Sequence, residues 1–242
     1  MNAAAWDAAM VLGAIEAALE TSRRCGARVT TLEDLGVGAG TRVATRTTVE
    51  ALLGAIRALD MLLVNRRAVV IHAVIAEGIE APLVAREHAR AVAVRALGVV
   101  VLHARDAQHA IDLTLVAHRI AEDLEAPVVV LHDGGIGGRV LDRVTLPAAP
   151  LVEAMLGSAP ERLHAGAQTP ASGWDERATF ALGSALRTFE RASGRTLGAL
   201  AMEVKAAFAD ALTWAPDYPG IGRIPVLCDG SVDPTDGEPS TA

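Results

Sequence analysis

Three uninterrupted apolar runs organise the chain: residues 68–75, 99–103 and 127–132, each continuous apart from a single histidine, His72, His103 and His132 respectively. Strands covered on both faces carry continuous Val, Ile and Leu, whereas half-exposed strands alternate. The three runs therefore predict strands of a parallel sheet. Between the second and third, Ala110, Ile111, Thr114, Ala117, Ile120, Ala121 and Leu124 recur at helical spacing behind Asp106, a residue type that caps helix N-termini. This is a strand–helix–strand unit, whose crossover is expected to be right-handed.

Upstream, residues 3–24 are Ala-rich, and Trp6, Met10, Ile15 and Leu19 fall on one broad helical face that Gly26 would terminate. Residues 27–31 and 41–45 read as short strands separated by a Gly-rich turn at 36–40. Thr47 or Thr48 is placed to cap a helix running to Leu63, with Leu52, Ile56 and Leu59 on its stripe. Downstream, Pro147, Pro150 and Pro160 punctuate a short helix at 151–156, and 165–173 reads as a loop. Ser172, with Asp175 three residues on, resembles a capping box for a helix whose stripe is Trp174, Ala178, Leu182, Ala185, Leu186 and Phe189, closed by Gly194. A further helix at 197–212, a strand at 224–227 and a disordered tail from Asp229 complete the reading. The expected fold is α/β, a mostly parallel sheet with helices on both faces. The α/β domain spans 1–145, a helical C-terminal extension 146–228, and the tail 229–242.

Composition narrows the function classes. The 242 residues are 51% hydrophobic and 21% charged, enough for a buried core in one large domain. A net charge of −7, with Lys205 the sole lysine, disfavours nucleic-acid binding, which rests on clustered basic residues. Asp7 and Glu16 interrupt any signal-peptide pattern, and no apolar run reaches the ~20 residues that span a bilayer, so a cytoplasmic protein without membrane association is expected. Cys25 and Cys228 form no framework, and their spacing supports no disulfide.

Candidate chemistry collects where the third strand ends, at Asp133-Gly134-Gly135. Ligands of parallel sheets sit beyond the carboxyl ends of the strands; glycines let a backbone approach phosphate, and an aspartate can hold a divalent metal, although a plain loop leaving a strand has the same composition. His72, His103 and His132 lie in or at the ends of strands and could converge as metal ligands, against a bland reading as satisfied structural histidines, which is preferred. His109 and Asp112 read as a solvated pair on one helix face, and residues 86–90 as an anion-binding or simply solvated run. No Gly-x-Ser-x-Gly elbow occurs, and neither cysteine has a recognisable base.

From about Gly40 to Arg195 the order of segments resembles the pyrimidine-binding domain (the α-subunit, N-terminal domain) of 2-oxoacid:ferredoxin oxidoreductases, the pyruvate:ferredoxin/flavodoxin oxidoreductase family, in a divergent and shortened form. The resemblance is carried by the strand and Thr turn at 41–48, the strand 69–75 and His88. It continues in Gln108-His109-Ala110-Ile111-Asp112, in Ala117-His118-Arg119-Ile120-Ala121-Glu122, in Pro127-Val128, in Asp133-Gly134 and in the helix ending Gly194-Arg195. It implies a thiamine-diphosphate-binding fold, with Thr47, Thr48, His88, Gln108, Asp133 and Gly134 near the cofactor. It also implies thiamine diphosphate with Mg²⁺ held jointly with a partner oxidoreductase subunit that carries the diphosphate-binding domain, and an iron–sulfur protein receiving electrons. In that family a carboxylate of this domain touches the aminopyrimidine ring. Here the helix that would carry it is missing, leaving Glu33 and a Gly-rich turn, and Ala73 and Val74 stand where a substrate-contacting arginine is expected. The catalytic residues are therefore unassigned. The resemblance implies a cofactor-side or structural role in such a complex, with a stand-alone, non-catalytic binding module as the alternative.

Overall fold

The computed structural model describes residues 5–34, 41–75, 99–104, 106–133, 141–157, 174–195 and 226–227. The elements are β1 (Met10–Leu12), α1 (Ala14–Arg24), β2 (Arg28–Thr30), β3 (Val43–Thr48), α2 (Val49–Gly54), α3 (Ile56–Val64), β4 (Val69–Ile75), β5 (Val100–Ala104), α4 (Ala107–Leu124), β6 (Pro127–Asp133), β7 (Asp142–Val144), α5 (Ala149–Leu156), α6 (Trp174–Ser193) and β8 (Val226–Leu227). Six strands form an all-parallel sheet in the order β2-β3-β4-β6-β5-β8. The three continuous apolar runs are its centre, and every residue of β4 and β5 is buried. The expected turn at 36–40, residues 165–173, Ser172, the helix at 197–212 and the tail from Asp229 lie outside the described residues.

Alternate side chains along the strands feed two cores. Val70, Val100, Leu102, Val128 and Val130 face α1, α4 and the helices beyond them. Val69, Ile71, Ala73, Val101, Val129 and Leu131 face α2 and α3, which contribute Val49, Leu52, Leu59 and Leu62. The local signals place their elements as expected. Asp106 caps α4 by accepting the His109 N–H at 2.7 Å, and Thr48 caps α2 by accepting the Ala51 N–H at 3.1 Å. Gly26 closes α1 with φ of +75°, the Gly26 N–H bonding Arg23 O at 2.9 Å and the Ala27 N–H bonding Ser22 O at 3.0 Å. This is the Schellman pattern that a glycine at C′ permits.

Three expectations are corrected. Residues 3–24 are not one helix: Met10–Leu12 pair antiparallel with Asp142–Val144, Trp6 bridges Pro147, and α1 begins only after Gly13. The alanines here satisfy a helical period locally, but pairing with a segment some 130 residues away wins over weak propensity. The helix expected up to Leu63 is interrupted at Ala55 (φ −100°, ψ 24°), so Ile56 is left exposed while Leu52 and Leu59 remain in the core. The break follows Gly54, a poor helix former. Finally, α4 has no solvated face: 15 of its 18 residues are buried, because α6 and α1, which also packs on β2, β3 and β4, both pack against it.

At the amino edge of the sheet Arg42 joins four segments. Its guanidinium is ion-paired with Glu122 of α4, donates to Cys25 O at 2.9 Å, and donates to Leu156 O and Gly157 O, both at 3.1 Å. Arg42 and Glu122 are both buried.

Candidate functional site

The carboxyl edge of the sheet is set by register. Thr48 stands opposite Val74, Val74 opposite His132, and His132 opposite Ala104; Ile75 and Asp133 share the next row. β6, the strand that carries His132 and Asp133, lies between β4 and β5. Successive residues of a strand point to opposite faces. His72 and His132, two-residue neighbours of core positions Val70 and Val130, therefore enter the α1–α4 layer. His103, one residue from Leu102, goes to the other face. The three strand histidines do not share a centre, and among the described residues no set of three His, Cys, Asp or Glu side chains gathers to hold a metal.

His72 and His132 instead join a buried hydrogen-bonded chain with partners from the two covering helices. His118 Nε2 of α4 lies 3.1 Å from Ser22 Oγ of α1, Ser22 Oγ lies 3.1 Å from His72 Nε2, and His72 Nδ1 lies 3.1 Å from His132 Nε2. All four residues are buried. Burial pushes the His72 imidazole down to about 3. It pushes His118 to about 3 as well, aided by His72 and Arg42, and holds His132 well below the usual range, aided by His72, His103 and Arg46. All three rings are thus neutral at physiological pH. Each neutral ring carries one N–H and the serine one O–H, so four protons serve three links. The fourth belongs to an end of the chain. At the carboxyl-edge end, His132 Nδ1 is buried and, among the described residues, meets no hydrogen-bond partner.

The residues marked for the cofactor are distributed as follows. Thr48 and Thr47 end β3; the Thr48 hydroxyl is committed to the α2 cap, and Thr47, half-buried, donates to Thr48 O at 3.4 Å. Asp133 ends β6 on the row of Ile75. His88 and Gly134 lie outside the described residues. Gln108, in the first turn of α4, is bound on both sides: Oε1 accepts the Thr145 N–H at 2.9 Å and its hydroxyl at 3.2 Å. Nε2 donates to Asp112 Oδ1 at 3.2 Å and to Thr145 O at 3.3 Å.

Gln108 belongs to a second polar cluster. Arg195 donates to Asp112 at 2.8 Å and to Thr145 Oγ1 at 2.5 Å, with its guanidinium carbon 3.5 Å from the centroid of the Trp6 ring. The Trp6 indole N–H donates to Ser193 O at 3.1 Å. Asp112 is therefore not half of a solvated pair with His109; both residues are buried beneath α6 and the N-terminal segment. Burial raises the Asp112 carboxyl to about 7, against the pull of Arg195 and Gln108. Cys25 is inert for the same reason: burial pushes its thiol up to about 12.

Ser22 and His118 were not singled out from the sequence. The available signal was a polar side chain placed inside an apolar helical stripe, His118 between Ala117 and the Ile120–Ala121 pair, and Ser22 on the helix side that also carries Ala18.

A family model described as pyruvate flavodoxin/ferredoxin oxidoreductase, thiamine-diphosphate-binding, matches residues 36–181, more than half of the chain and the whole of β3 through β7. A comparison with curated proteins gives no match.

Proposed function

The chain belongs to the family of thiamine-diphosphate-binding domains of pyruvate flavodoxin/ferredoxin oxidoreductases, and on that premise we propose that it is a divergent subunit or domain of a 2-oxoacid:ferredoxin oxidoreductase. In this reading it lies on the pyrimidine side of a thiamine diphosphate site. A partner subunit carries the diphosphate-binding domain and the Mg²⁺, and an iron–sulfur protein takes the electrons. The observation that carries the reading is the match across β3–β7, which takes in the central strands of an all-parallel sheet and the carboxyl edge where such folds place ligands. The described helices include none long and apolar enough to cross a membrane.

The described residues do not complete a cradle for the cofactor. Of the carboxylates at the carboxyl edge whose side chains are described, Glu33, Asp34 and Glu50 are exposed, and Asp106 is committed to the α4 cap. The buried carboxylates, Asp112 and Glu122, are held by Arg195 and Arg42. No catalytic step through thiamine diphosphate is therefore derived, and the part assigned to this chain is to complete the fold of the assembly and present its carboxyl edge to the partner. The same committed side chains favour the second reading, a stand-alone binding module that kept the fold and lost the cofactor.

Purification of the tagged chain from its native host, with mass spectrometry of stoichiometric partners and an assay of bound thiamine diphosphate, separates the two. A diphosphate-domain subunit or an iron–sulfur protein in stoichiometric amount is the expected result. Recovery of the chain alone, as monomer or self-oligomer and without thiamine diphosphate, overturns the subunit reading.

A further inference from the structure

The chain His118–Ser22–His72–His132 is built at a cost that packing alone does not explain. The same face of β4 and β6 is otherwise valine, at Val70, Val74, Val128 and Val130. A buried ring nitrogen left without a partner is unfavourable, since its water has been removed and nothing replaces it. At the opposite edge of the sheet the Arg42 guanidinium has Nε, Nη1 and Nη2 all engaged. The histidine chain instead ends, among the described residues, on His132 Nδ1 without a hydrogen-bond partner, one residue before Asp133, on a central strand at the carboxyl edge.

We propose that His132 Nδ1 is a ligand-contacting atom, and that the edge beside it takes an uncharged nitrogen heterocycle or amide group through a single hydrogen bond. The chain behind it supplies whichever tautomer the ligand needs. In one polarity His118 donates to Ser22, Ser22 to His72 and His72 to His132, and Nδ1 presents an N–H. In the other every link reverses, and Nδ1 presents a lone pair. Either way three links stay satisfied and no ring is charged, so the site reads donor or acceptor at little cost. A cationic group is disfavoured, because Arg46 bears on His132 from β3 and, among the described residues, has no ion-pair partner. The choice of an aminopyrimidine as the probe below rests on the thiamine-diphosphate reading; the assignment of His132 rests on the geometry.

The test uses the full chain labelled with ¹⁵N-histidine and the probe 4-amino-5-hydroxymethyl-2-methylpyrimidine, with ring-nitrogen chemical shifts as the readout. The expected result is a shift at His132 Nδ1, followed by tautomer shifts at His72 and His118. In Ser22→Ala the His132 shift persists and the His118 response disappears, a decoupling that a structural role would not produce. His132→Leu is expected to weaken the probe about tenfold, one hydrogen bond's worth. Calorimetry with thiamine diphosphate and Mg²⁺ on the chain together with its co-purified partner subunit separates the two readings. If thiamine diphosphate binds and His132 does not respond to either compound, the His132 assignment is overturned and the cofactor reading stands. If the pyrimidine shifts His132 but thiamine diphosphate does not bind, the assignment stands without the cofactor. If neither binds, both fall.

Discussion

Acid should weaken this protein by an amount that can be worked out from four buried groups. His72 and His118 fall from 6.5 to about 3 on folding, so between those values the unfolded chain binds protons that the native one refuses. Stability from these groups is fully present above the unfolded value and is lost as pH falls through it. From pH 7 to 5.5 each of these two histidines costs on the order of 1 kcal/mol, and His132, shifted in the same direction, adds to the loss. Asp112 works against them. Burial raises it from 3.8 to about 7, so the folded state holds the proton that the unfolded state releases, and over the same interval acid returns on the order of 1–2 kcal/mol. The histidines outweigh the carboxyl, so the net expected change is a loss on the order of 1 kcal/mol or more, a sizeable part of a marginal stability.

Urea unfolding at both pH values, with the slope checked for constancy, measures it. Two variants test the attribution. Asp112→Asn removes the opposing contribution, so the loss between pH 7 and 5.5 should grow by on the order of 1–2 kcal/mol. His118→Leu should shrink the wild-type loss by on the order of 1 kcal/mol, whatever it does to stability at pH 7. Stability that is unchanged or higher at pH 5.5, or a loss unaltered in His118→Leu, would refute the reasoning, because the interior would then be accommodating imidazolium.

Other consequences follow from single residues. Arg42→Met should lower stability by roughly 3–5 kcal/mol in urea unfolding, since Glu122 is left buried without its cation and three carbonyls lose their donors; the double variant Arg42→Met/Glu122→Leu should recover much of that. Two alanine substitutions should move thermal stability in opposite directions. Gly26→Ala puts a side chain into φ of +75° and costs about 1 kcal/mol although nothing lies within 4 Å of the new methyl. Gly183→Ala in α6 should gain about 0.5–1 kcal/mol, its methyl meeting only the flexible end of Arg187 at 3.3 Å. In a Cys228→Ser background a thiol reagent at pH 8 should leave Cys25 unmodified until the chain is unfolded, because burial holds that thiol near 12; labelling at the rate of an exposed cysteine would contradict its burial.

What could be read from the sequence was what short-range physics decides. Unbroken valine runs gave the central strands, Asp106 and Thr48 gave two helix starts, and Gly26 gave a stop, each within a few residues of its cause. What escaped depends on partners distant in the chain. Nothing near Met10 announces that β7 will pair with it, and nothing near Asp112 announces that Arg195, 83 residues on, will close over it. The histidines illustrate the boundary within one motif. Strand alternation alone puts His72 and His132 on the face opposite His103, and could have been applied to the sequence given the register. The serine and third imidazole that complete the chain come from helices whose rotation only packing fixes.

The two polar systems of the α1–α4 seam differ in a way that bears on function. Both run through the same layer, and both replace hydrophobic contacts that would be simpler to make. At the amino edge Arg42 spends its donors on one carboxylate and three carbonyls from Cys25, Leu156 and Gly157, and so ties α1, α4 and α5 to β3. A buried, charged knot of this kind is hard to disturb from outside. At the carboxyl edge the groups are neutral, each link can reverse, and one nitrogen is left over at the strand end. Reversal needs only that protons shift within existing hydrogen bonds, so such a chain can answer to a ligand without moving any backbone. The sheet is therefore fastened at one edge and left responsive at the other, and that other edge is the one a parallel α/β fold turns toward its ligand.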